Sequence, residues 1–415
     1  MNRHPGLFSL ALLGIALTCS LTGSSLGQAP PPAAPPAPVP APAGPAGNID
    51  ALKSSPNVAT QVAAIAGHIK TQVAALTGGD PTAASKARDE LIDNVSPGRV
   101  APSPAFLAEF ARQLDTGIAP ALQNENEYVR LNAGIVVARA AERTDNAALR
   151  GATLALLNDK SRNVVLWGVK SARWVIPAIL RSAGKADDVL GAVVKAVATH
   201  GQGAIGGPIV VEAYDALTID AMSDNAKRRP TAAMITTVIP YMHQLLQQRI
   251  QAYQKGIPPE PAAEIRGTAF LVNGTVWGLH TPPQRVTSIQ AMSDIIGLGA
   301  QHAAANPAAG DLADLGYMIG LVSKAIGVVP QNAPIKAQLD PAMKVDQRTL
   351  APAIQAAVAA VLPALKTVKE FAAITPPPAI TPAAAPANNG TAPTTAPTAP
   401  TTAATAPATT ASASP

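Results

Sequence analysis

Between residues 122 and 180 the chain overlays on itself at a spacing of 35 residues. Leu122, Asn124, Val129, Leu131 and Val137 match Leu157, Asp159, Val164, Leu166 and Ala172 in turn. A period of this length marks stacked helical hairpins, because one hairpin alone cannot bury its apolar face. Val129, Ala133, Val136, Val137 and Ala140 fall at i, i+4, i+7, i+8 and i+11, one face of a helix. Leu149, Ala152 and Leu156 continue the pattern in a partner helix, and Val164, Gly168, Ala172 and Val175 repeat it. Asp145-Asn146 and Asn158-Asp159 punctuate between helices, and their side chains suit N-caps.

A polar turn followed by Val-Arg-x-x-Ala, standing here as Asn124 and then Val129-Arg130-Leu131-Asn132-Ala133, resembles a HEAT or armadillo-type repeat. The resemblance implies an α-solenoid in which the Arg supports a polar ladder between repeats. The second copy departs from it, with Val165 at the Arg position and Gly168 at the Ala position, which interrupts a regular ladder. The competing reading is an irregular all-α domain with two similar hairpins.

Composition agrees with helices. Aromatic residues make up only 3% of the chain, and much of the 47% hydrophobic fraction is alanine, which favours helices packed through small side chains. Runs of β-branched residues at period two are few, so strand content is expected to be minor. The net charge of +5 is mild, and the single basic run, Lys227-Arg228-Arg229, stands before Pro230 as a solvated turn would. Nucleic-acid footprints are denser and interleaved with aromatics, so no nucleic-acid partner is expected.

Taken in order, residues 1–27 read as a signal peptide: Arg3 and His4, an apolar run from Leu7 to Leu17 too short to span a bilayer, then Ser25 and Gly27 before a cleavage point at Gln28. A lipoprotein signal ending at Cys19, the one cysteine, is the alternative, but Ala16-Leu17-Thr18 fits a lipobox poorly. No transmembrane helix is expected in the mature chain. Residues 28–47 form a Pro/Ala-rich disordered linker with polyproline-II character. Residues 48–225 are expected to form the repeat region and 226–373 a second helical region, either a continuation of the solenoid as decayed repeats or a separate helical subdomain. Residues 374–415 form a disordered Ala/Pro/Thr-rich tail. Helices are expected over 58–76, 82–92, from Ser103-Pro104 onward, 187–199, 208–222, 230–254 with a kink at Pro240, 261–274, 284–305, 309–327 and 347–372, about eight to twelve in the folded part.

The motifs that elsewhere carry chemistry are weak. Gly201-Gln202-Gly203-Ala204-Ile205-Gly206 spells G-x-G-x-x-G, but a dinucleotide site needs a strand before it, and 189–197 has helical spacing. Ser182-Ala183-Gly184-Lys185 and Ser223-Asp224-Asn225 resemble elements of penicillin-recognising serine enzymes, which would make Ser182 a nucleophile assisted by Lys185. The third element, K-T-G, is missing; Lys366-Thr367-Val368 is the nearest approach. His68, His200, His243, His280 and His302 form no pair at i, i+3 or i+4, so neither metal nor cofactor is expected. Trp167 and Trp174 lie seven residues apart and share a helical face, as core residues or as an exposed aromatic patch used for binding. Sequons at Asn94, Asn273 and Asn389 matter only in a host that glycosylates asparagine.

No catalytic, cofactor or metal residues are assigned. The expected role is an exported, non-catalytic helical-repeat scaffold or protein-binding module of the cell envelope, its partner another protein or envelope component. The alternatives are an exported serine acyl-transfer enzyme and an envelope structural protein anchored through its low-complexity ends.

Overall fold

The computed structural model describes residues 49–55, 58–202, 207–219, 229–257, 260–305, 317–318, 320–321, 356, 359–360, 363 and 365–381. All belong to one compact unit, Pro45–Pro415, and every regular element among them is helical. The expected signal (1–27) and linker (28–47), Ser223-Asp224-Asn225, most of 309–327 and 347–372, and the residues beyond 381 lie outside the described residues.

The helices follow the apolar spacing. After α1 (Ile49–Lys53), α2 (Val62–Thr77) buries Ile65, Ile69, Val73 and Leu76. The Asp80 carboxylate then accepts from Thr82 N to cap α3 (Pro81–Asp93), with proline in the first turn. Ser103 does the same for α4 (Pro104–Gly117), which buries Phe106, Phe110 and Leu114. The short α5 (Ala119–Leu122) leads into α6 (Glu127–Thr144), followed by α7 (Arg150–Leu157) and α8 (Arg162–Arg181). Next come α9 (Asp187–His200), α10 (Gly207–Leu217) and α11 (Ala232–Gln254), which carries Pro240 inside it. The set closes with α12 (Pro261–Val272), α13 (Gly274–Leu279) and α14 (Pro282–Ala305). Eleven of these helices are eight residues or longer.

The long helices pack on their neighbours in sequence and line up in two rows. Thus α3, α6, α8, α10 and α12 touch in succession, and α2, α4, α7, α9 and α11 touch in succession beside them, with α14 against α11 and α12. One apolar core runs from Val58 to Ile374.

The turns at Asn124 and Asp159 share one hydrogen bond. Asn124 Oδ1 accepts from Asn126 N at 2.9 Å, and Asp159 Oδ1 accepts from Ser161 N at 2.7 Å, the same turn 35 residues later. Arg130 is buried and donates to Asp159 at 2.8 Å and to the carbonyls of Asn124 and Glu125. Its counterpart Val165 is an apolar core residue. Gly168 replaces the Ala of the first copy because a Cβ there would lie 2.8 Å from Leu157 N and 2.9 Å from Leu156. Further along, successive hairpins are tied by Glu127 to Ser161 and Asn163, Asp145 to Arg181, Arg150 to Asp188, Lys170 to Glu212 and Arg173 to Asp215. Polar ties between neighbours are therefore present, but their residues change from one step to the next.

The punctuating residues divide their roles differently from the expected N-capping. Asn146 does cap, accepting from Ala148 N. Asp145 instead ends α6 in the left-handed region (φ 46°), and Asn158 ends α7 while donating back to Leu154 O. The start of α7 is served from outside: the Asp115 carboxylate of α4 accepts from Ala152 N at 2.7 Å.

One expectation is corrected. Residues 374–381, assigned to a disordered tail, are placed against the helices: Ile374 is buried, and Thr375, Pro378, Ile380 and Thr381 are hydrogen-bonded to α11 and α14. Proline-rich composition precludes an own core, but not docking on one already built.

Candidate functional site

A cleft lined by two tryptophans lies along α8, between α6 and α10. Along α8, Val164, Val165, Gly168, Val169, Ala172, Val175 and Ile176 are buried. Trp167, Lys170 and Trp174, at i, i+3 and i+7, therefore fall on a different face. That face meets Ala138, Arg139 and Glu142 of α6 and Glu212 of α10 to form a groove of ≈ 180 Å³. Both indoles are half-buried. Lys170 Nζ sits 4.8 Å from the Trp167 ring centre and Arg173 Cζ 5.7 Å from that of Trp174, in cation–π range. Acids hold the cations in place: Glu212 is 3.6 Å from Lys170, Asp215 is 3.2 Å from Arg173, and Glu142 is 2.9 Å from Arg139. Asp215 also pairs with Arg266 of α12.

Size decides what the groove can take. Pockets that enclose small ligands run from about 300 to 1,000 Å³; a shallow groove of ≈ 180 Å³ suits one or two side chains of a partner. Trp and Arg are the residues that dominate binding at protein interfaces. In a chain with three tryptophans among 415 residues, two line this cleft, while Trp277 is buried.

Two polar clusters that sequence spacing did not reveal are buried in the second half. His243 Nε2 lies 2.8 Å from Ser288 Oγ, which lies 3.2 Å from His280 Nε2, and His280 Nδ1 faces Val276 O at 2.9 Å. Desolvation drives both imidazoles down, His243 to about 4. The pair is 37 residues apart in sequence, so no local motif announces it. Ser288 is fully buried and links the two imidazoles between α11, α13 and α14. The second cluster centres on Glu264, which accepts from Arg249 Nε at 2.7 Å and from the hydroxyls of Tyr214 and Tyr253, all four residues buried. Arg249 also donates to Gly201 O at 3.1 Å. Burial and the adjacent Glu264 hold both phenols well above the usual tyrosine range.

The other sequence candidates separate. Ser182 terminates α8 and donates to Ile179 O at 2.8 Å. Ala183 then turns left-handed (φ 57°), so Lys185 does not follow Ser182 on one helical turn. The element before Gly201 is the helix α9, not a strand, and 203–206 lie outside the described residues. Asn94 is buried against His68 at 2.8 Å, and Asn273 caps α13. Among the described residues no three His, Cys, Asp or Glu side chains converge as a metal site, and no helix is long and apolar enough to cross a membrane.

Compared with known proteins, the chain matches no protein-family model, and no curated protein matches it significantly.

Proposed function

We propose that this is an exported, non-catalytic helical-repeat scaffold of the cell envelope, a HEAT-like solenoid that holds a protein partner along the α6–α8–α10 row. The observation that carries the reading is the cleft with Trp167 and Trp174 at its walls and Arg139, Lys170 and Arg173 beside them. Aromatic surface is scarce in this chain, and its placement along a shallow cleft favours a partner's side chains. The solenoid assignment is supported by helices that line up in two rows and by the turns at Asn124 and Asp159. Export rests on the charged start and apolar run of residues 1–17.

The test uses the full chain as bait against an envelope fraction, beside its Trp167→Ala/Trp174→Ala variant. A saturable partner retained by the wild type and weakened at least tenfold by the double variant supports the reading. Equal retention by both removes the groove as the binding site. Circular dichroism of the variant controls for folding.

A further inference from the structure

The segment 375–381, Thr-Pro-Pro-Pro-Ala-Ile-Thr, lies along one face of α14, held at both ends by glutamine side chains. Thr375 N donates to Gln290 Oε1 at 2.8 Å, and Gln290 Nε2 donates to Thr375 O at 3.2 Å. Further along, Gln301 Nε2 donates to Pro378 O at 3.0 Å, and Ile380 N donates to Gln301 Oε1 at 3.1 Å. Thr381 N then donates to Gln254 O at the end of α11 at 2.8 Å. Between the clamps, Pro377 packs on Gly297, where a Cβ would overlap its ring. Gln290, Gly297 and Gln301 fall at i, i+7 and i+11, a single stripe of the helix.

The chemistry selects a proline run. Proline has no N–H, so Pro376, Pro377 and Pro378 offer carbonyls alone. A side-chain amide, donor and acceptor together, pairs with both an N–H and a C=O only at the borders of such a run, where the two glutamines stand. Residues preceding a proline are also pushed out of the helical region, which sets the segment near polyproline II. The dimensions agree: eleven helical residues rise about 16 Å, and the three to five residues between the clamped atoms extend about 9–16 Å in polyproline II, within the reach of two glutamines.

The sequence holds Pro-Pro-Pro-Ala twice, at 376–379 and at 30–33. Laid in the same register, Ala29 supplies the N–H and C=O of Thr375, Pro32 the carbonyl of Pro378, Ala34 the N–H of Ile380, and Pro31 the ring over Gly297. We propose that the α14 groove is a recognition site for a Pro-Pro-Pro-Ala segment, and that residues 29–34 of a second copy of this chain exchange with its own 375–380 there. The tail is tethered at millimolar effective concentration, so it masks the groove until it is weakened.

The experiment uses the full chain with Pro376, Pro377 and Pro378 changed to Gly, and a fluorescent peptide of residues 28–35. The loosened tail is expected to raise peptide affinity at least tenfold over wild type, with competition by a peptide of residues 374–381. Adding Gln301→Ala is expected to abolish the gain, and a peptide of the same composition without consecutive prolines is expected not to bind. Equal affinity for wild type and the glycine variant overturns the proposal, as does binding that survives Gln301→Ala or that depends on Trp174 instead. Gly297→Ala gives an independent reading that does not rest on the triple variant. It favours α14 itself while displacing Pro377, and protease cleavage after Thr381 or within 375–381 should accelerate at least tenfold; an unchanged rate counts against the groove.

Discussion

The contact of α6 with α8 and the packing around α11, α12 and α14 are held by opposite means. Where α6 meets α8, small residues set the approach, with Gly134 of α6 against Trp167 of α8, and the charges sit nearer the ends, at Arg130–Asp159 and Asp145–Arg181. Around α11 the polar groups are in the middle: Glu264 with Arg249 and two tyrosines, and Ser288 between two histidines. Small apolar residues fix how closely two helices approach, but many sequences satisfy them. A buried hydrogen-bonded network tolerates few alternative pairings, because each missing partner leaves a desolvated group. The α6–α8 contact therefore depends mainly on side-chain size, with its buried ion pair Arg130–Asp159 at one end, and the packing around α11 depends mainly on polar pairing.

The largest effect that separates the two regions is expected at Arg249. Arg249→Met leaves the Glu264 carboxylate buried without its cation and should cost about 3–5 kcal/mol, read by urea unfolding. Replacing both residues by Met and Leu should recover much of that loss. A single-variant cost below about 1 kcal/mol would erase the distinction drawn here.

Titration sharpens it next. Burial holds His243 at about 4, below the ordinary value, so the unfolded chain takes the proton first. Stability is then lost as pH falls from about 6.5 to 4, by about 3 kcal/mol. Asp294 has the reverse sign: burial raises its carboxyl to about 6, the folded chain takes the proton first, and stability falls by a similar amount as pH rises from about 4 to 6. In the wild type the two trends oppose each other. Asp294→Asn should raise stability at pH 7 and expose a steep acid loss; an unchanged pH profile would contradict both assignments.

Within the first half, at the α7–α8 contact, Gly168→Ala forces a methyl against the α7 backbone and should cost about 1–3 kcal/mol by overpacking. The smallest effect is expected for Arg150 and Asp188, 42% and 39% exposed; a double-mutant cycle should give less than about 1 kcal/mol.

Apolar spacing made α2, α4, α6 and α8 legible, and Ser103 was readable as a helix start, because these depend on neighbours within one or two turns. The seven-residue spacing of Trp167 and Trp174 placed them on one face, but the acids that fix Lys170 and Arg173 come from α10, about forty residues on. His243 and His280 were unreadable as a pair for the same reason. The 375–381 segment was misread because composition records what a segment can bury by itself, whereas Gln290, Gly297 and Gln301 supply the surface and the hydrogen bonds.

The Asp115 carboxylate that serves the start of α7 bears on how the chain acquires its structure. A helix whose first amides are satisfied by the preceding hairpin lacks a nucleus of its own, and α7 is only eight residues long, below what survives alone in water. Its formation is conditional on α4 already standing. Ordering of α7 should therefore be coupled to that of α4, and a cut between α5 and α6 would leave the start of α7 without the carboxylate that serves it.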